Sequence, residues 1–96
     1  MQLPRDINGN LVIEYGRFPE KLRPKTYTPI ASGTELDAVD LVAISVGEGV
    51  NGERVYWVNY LNEQGTSVTG DMYYTLESAR SSPDKEYGVS VNWVAV

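Results

Sequence analysis

A mainly β domain, a small antiparallel β-sandwich or barrel preceded by an extended N-terminal arm, is predicted by three features of the 96-residue sequence. Apolar and aromatic runs rich in β-branched residues recur at intervals of roughly ten residues, the spacing of short antiparallel strands. Clusters of glycine and asparagine separate them, supplying the turn chemistry that joins such strands. Pro4, Pro19, Pro24 and Pro29 then punctuate the first thirty residues. Each removes a backbone donor and pushes its predecessor toward extended geometry, so no helix is expected there. The chain divides accordingly into a Pro-rich arm, 1–30, and an antiparallel β domain, 31–96.

Within the arm, Asn8-Gly9-Asn10 reads as a tight turn and Leu11–Tyr15 as a short strand ended by Gly16. Arg17–Ile30 follows as an extended crossing segment. An arm of this kind either wraps its own domain or reaches across to a neighbour, and the residues leave both open.

In the body, Ala38–Val46 is apolar apart from Asp40 and Ser45, which suits a strand covered on both faces. Gly47–Glu53 is a hairpin loop, and Arg54–Leu61 the returning strand. Asn62–Gly65 makes the next turn, and Thr66–Thr75 a third strand with a bulge or bend at Gly70-Asp71. Leu76–Arg80 has the composition of one helical turn, with Thr75 as its N-cap and Pro83 as its stop. The last strand, Tyr87–Val96, alternates, with Val89, Val91, Trp93 and Ala95 on one face and Ser90 and Asn92 on the other. Removing residues 92–96 is therefore expected to harm folding.

Composition narrows the chemistry. There is no cysteine, which excludes disulfides, thiol catalysis and thiolate metal sites. Histidine is absent too, which removes the commonest general base and metal ligand. No carboxylate pair or lysine-activated nucleophile shows a catalytic spacing. The expectation is a non-enzymatic protein without cofactor or metal. Glu35, Asp37 and Asp40, and Glu48 with Glu53, read as solvated loop charges because the alternating pattern of a calcium loop is missing. Gly47–Gly52 links two strands and lacks a following lysine, so it is a hairpin loop and not a phosphate cradle.

The net charge of -5 is unevenly spread. Residues 1–25 carry Arg5, Arg17, Lys21, Arg23 and Lys25 against Asp6, Glu14 and Glu20, while the remainder is strongly acidic. That asymmetry suits contacts between copies or with an oppositely charged partner. It does not suit nucleic acid, because the body would repel phosphate and no RNP-like aromatic motif is present. No stretch has the length of a membrane span, and the first residues lack the apolar core of a signal peptide, so synthesis in the cytoplasm and no membrane are expected.

Partner-binding candidates follow from charge and aromaticity. Arg17, Lys21, Arg23 and Lys25 form the basic stretch of the arm. Tyr56 and Tyr60 share one face of their strand, opposite Trp57 and Asn59, and one of the adjacent Tyr73 and Tyr74 points outward. Tyr56, Tyr60 and Tyr73 are the aromatic contact candidates.

The run Leu3-Pro4-Arg5-Asp6-Ile7-Asn8-Gly9-Asn10 resembles the opening of small virion proteins of tailed bacteriophages, in which a Leu-Pro-x-Asp-x-Asn-Gly-Asn run precedes an extended arm and a β domain. The resemblance covers about a tenth of the chain and carries over no functional positions. It implies a structural role on the phage particle, as capsid decoration or cement, head fibre, or neck or tail component, with a capsid or tail protein as partner and assembly as a homo-oligomer. The second reading is an acidic inhibitor of a host protein, acting as a DNA mimic.

Overall fold

The computed structural model describes residues 3–22 and 38–96. Asn8 and Gly9, with φ of 53° and 82°, make a two-residue turn whose left-handed geometry matches strand twist. It joins β1 (Asp6–Ile7) to β2 (Asn10–Leu22). The chain resumes in β3 (Val39–Glu48), β4 (Arg54–Leu61) and β5 (Ser67–Tyr73), then α1 (Leu76–Arg80), α2 (Ser82–Tyr87) and a two-residue β6 (Val94–Ala95).

All pairings are antiparallel, in the order β1-β2-β3-β4-β5, with β6 also on β2. The sheet curls into a half-barrel. The expected antiparallel β architecture holds, as one curled sheet rather than two packed ones.

Strand β2 departs from the sequence reading. It does not end at Gly16 but runs thirteen residues and pairs with β3 as far as Leu22↔Val39. Register shifts on either side of Tyr15–Arg17 absorb its irregular pattern. The described residues of the arm thus form sheet, with Leu3 and Ile7 packed on a core cluster; its limit at residue 30 lies outside the described residues.

β3 is covered on both faces, as its composition suggested. On one face Val42 and Ile44 join Phe18, Val58, Tyr60 and Ala79, with Tyr87, Val89, Val91 and Trp93 packed against them. On the other, Leu41 and Ala43 join Ile7, Val12 and Leu61, with Tyr15 alongside. Each such side chain contributes about 1.5–3 kcal/mol on full burial, so β3 is the mechanical centre of the fold.

Turn chemistry sets the connections. The Gly49 N–H donates to the Glu53 carbonyl at 2.7 Å, closing the β3–β4 loop. In the next turn the Asn62 side-chain oxygen accepts from the Gln64 and Thr66 N–H groups at 3.0 and 2.9 Å. β5 continues through Gly70-Asp71 without a break, and its bulge lies earlier, at Val68, where the pairing steps from Tyr60↔Thr69 to Leu61↔Ser67.

Thr75 caps α1 as expected, accepting from the Ser78 N–H at 3.1 Å. Pro83, expected to stop helix, instead opens α2 from its first turn. A proline there forfeits no helical hydrogen bond, because first-turn N–H groups have no partner within the helix. The expected last strand over Tyr87–Val96 is reduced to Val94–Ala95: α2 takes Tyr87, Gly88 ends the helix at φ 66°, and residues 88–93 are not strand. Val89, Val91 and Trp93 do turn to the core; Ala95, expected beside them, is exposed because it pairs along the outer side of β2.

Candidate docking edge

Residues opposite one another on paired strands share a face. On the helix side, Tyr56 lies across from Tyr73, and Val42 from Tyr60. On the other side Ser45, Trp57 and Met72 form one row, and Ala43, Asn59 and Gly70 the next.

Of the two faces of β4, the tyrosine face is core. Tyr60 is 2% exposed. Its ring packs against Phe18 and Tyr87, with centroids 6.2 and 5.1 Å away. Its hydroxyl lies 2.6 Å from Ser82 Oγ. Burial raises its pKa well above the ordinary phenol value, against the lowering effect of the Ser82 hydrogen bond. Tyr60 therefore has no surface to offer a partner. Tyr56 and Tyr73 are half-buried against the same cluster. Of the adjacent tyrosines it is Tyr74, 66% exposed, that faces solvent.

Trp57 and Met72 carry the exposed apolar surface instead. Directly opposite in register, each is 37% exposed. Asn59 is buried behind them, its Nδ2 within 3.1 Å of the Ala43 carbonyl, Ser45 Oγ and the Trp57 carbonyl, which ties β4 to β3 under the patch. Across from it Gly70 approaches β4 so closely that an added Cβ would stand 2.6 Å from the Val58 carbonyl oxygen. β5 then ends the sheet: among the described residues no strand pairs with its outer side.

Alternation along β4 did place Trp57 opposite Tyr56 and Tyr60. Which face would be covered depended on α1, α2 and residues 89–93, all remote in sequence, so the exposed pair was not legible as such. Trp57 on a strand of tyrosines was the available signal.

Of the basic candidates, Arg17 is exposed and lies 3.6 Å from Asp40, a surface pair worth little in water. Lys21 falls within β2. Arg23 and Lys25 lie outside the described residues.

No family model matches the chain, and no curated protein or solved structure matches it. Among the described residues, no helix is long and apolar enough to cross a membrane.

Proposed function

We propose that this chain is a non-enzymatic structural protein that works by docking on another macromolecule, as a virion component of a tailed phage seated on a capsid or tail protein. One observation carries the docking part: the half-exposed Trp57–Met72 pair lies beside the outer side of β5. Tryptophan and methionine are enriched in interface cores, where charge is depleted. A strand edge adds directional main-chain donors and acceptors, which fix the partner's register. The Leu3–Asn10 resemblance supplies the virion context.

The test is quantitative mass spectrometry of gradient-purified tailed-phage particles assembled in cells that produce the chain. Co-purification at a fixed stoichiometry, reduced at least tenfold by joint Trp57→Ser and Met72→Ser substitution, is expected. Absence of the chain from particles would overturn the virion role, and unchanged incorporation of the doubly substituted chain would overturn the docking edge.

A further inference from the structure

We propose that Asn8 is a site of spontaneous covalent modification, losing ammonia and, as isoaspartate, releasing the first strand from the sheet. The inference is independent of the docking role above. In an Asn-Gly pair no side chain on the glycine hinders approach to its nitrogen. Once that nitrogen gives up its proton to base, it attacks the asparagine Cγ. The N–Cγ bond forms, the bond from Cγ to the amide nitrogen breaks, and ammonia leaves with a proton taken from water. Water then opens the resulting succinimide at either carbonyl. One route gives aspartate; the other gives isoaspartate, whose main chain runs through Cβ and is longer by one methylene.

The chain has two Asn-Gly pairs, Asn8-Gly9 and Asn51-Gly52, with all four residues exposed. Solvent access does not separate them; the hold on each turn does. At Asn51 the attacking nitrogen is already engaged, because the Gly52 N–H donates to the Gly49 carbonyl at 3.0 Å. The Asn51 N–H donates to Glu53 Oε2 at 3.1 Å, and that carboxylate disfavours the amide anion on which attack depends. This turn also closes a ladder of eight pairs, Leu41↔Leu61 to Glu48↔Arg54.

Among the described residues, no hydrogen bond engages the Gly9 N–H. Asn8 sits in the left-handed region at φ 53°, which directs its Cγ away from the following nitrogen, so this turn too must open before a ring can close. Its ladder has only two pairs, Asp6↔Leu11 and Ile7↔Asn10, and so short a ladder opens at small cost.

The two products differ in what they do to the fold. Aspartate keeps the backbone length and tolerates a left-handed φ, so the turn survives with one more negative charge. Isoaspartate lengthens a two-residue turn whose length sets Ile7 against Asn10. β1 then loses its pairing and the Val12 N–H loses its 3.0 Å bond to the Arg5 carbonyl. Leu3 and Ile7 leave the cluster they share with Val12, Leu41 and Leu61.

The test is ageing of the purified chain in mildly alkaline buffer, with peptide mass spectrometry reading ammonia loss at both pairs in one sample. Asn8 is expected to convert at least about tenfold faster than Asn51 in the folded chain, the ratio given by a difference of roughly 1.4 kcal/mol in local opening. In concentrated urea the two rates should converge. The isoaspartate form, separated chromatographically, is expected to exchange hydrogen faster at the Val12 amide than the unmodified chain, while the Asn8→Asp chain matches the unmodified one.

No ammonia loss at Asn8, or conversion of Asn51 as fast in the folded chain, would overturn the site. So would a rate difference that persists in urea, which would belong to local sequence rather than to the fold. Unchanged Val12 exchange in the isoaspartate form would overturn the release of β1.

Discussion

The hydroxyls of Tyr60 and Ser82 lie 2.6 Å apart with both residues buried, a single hydrogen bond joining β4 to α2 beneath the helices. Each group satisfies the other where water does not reach. Losing one partner should therefore cost more than losing both. Tyr60→Phe is expected to destabilise the fold by about 1–3 kcal/mol, the desolvation cost of the orphaned serine hydroxyl. Adding Ser82→Ala should recover part of that loss. Urea unfolding of both single variants and the double variant checks it, and a double variant as unstable as the two single losses combined would show that the bond is not the coupling.

The same burial predicts an alkaline limit. The folded-state pKa of Tyr60 lies above its unfolded value of 10.0, so the unfolded chain loses this proton first. Stability from this group is fully present below about pH 10 and declines as pH rises toward the folded value. The urea midpoint should fall above about pH 10, and Tyr60→Phe should fall less steeply from its own lower starting point. Parallel curves for the two proteins would place the alkaline sensitivity outside Tyr60.

Gly16 is a matter of space rather than backbone freedom. A Cβ added there would stand 1.8 Å from Val91 Cγ1 and 3.4 Å from the Asn92 carbonyl oxygen. Residues 89–93 thus lie across β2 at a point where no side chain fits. Gly16→Ala is expected to cost roughly 1–3 kcal/mol as overpacking. Val91→Ala should relieve part of it, giving a double variant more stable than the sum of the single losses requires. Strict additivity in thermal melts would show that the two positions do not meet.

That contact also shows what the sequence disclosed and what it did not. Gly16 reads locally as a strand terminator, and nothing near it in the chain says that Val91 will cover it. The Asn8-Gly9 turn, the β3–β4 hairpin, the Thr75 cap and the inward set of Val89, Val91 and Trp93 depend on neighbours within a few residues, and were legible. The length of β2 and the choice of Trp57 over Tyr60 as the exposed aromatic depend on packing between segments far apart, and were not. Pro83 fell between these cases: a proline marks a helix boundary, but composition did not say on which side the helix lay.

The C-terminal segment reaches the sheet through more than the two β6 pairings. The Val96 N–H donates to the Ile13 carbonyl at 3.0 Å, and Trp93 Nε1 donates to the Arg80 carbonyl at 3.2 Å. Arg80 in turn grips Glu14 of β2, its Nε at 2.9 Å from Oε1 and its Nη2 bonded to Oε2. The hydrogen bond to that carboxylate raises the guanidinium pKa further, against partial desolvation, so Arg80 stays charged at any pH where the fold survives. Glu14 is only 8% exposed, and a carboxylate that buried depends on keeping its partner. Deleting residues 92–96 removes the Trp93 and Val96 bonds and uncovers the outer side of β2 beside Glu14. A lower melting temperature with a broadened transition is expected by circular dichroism. Trp93→Phe, which keeps an aromatic ring against the core and the rest of the tail in place while removing the donor, should lower it less. An unchanged midpoint in the truncated chain would mean that α1 and the Glu14–Arg80 pair hold this side of the sheet without the tail.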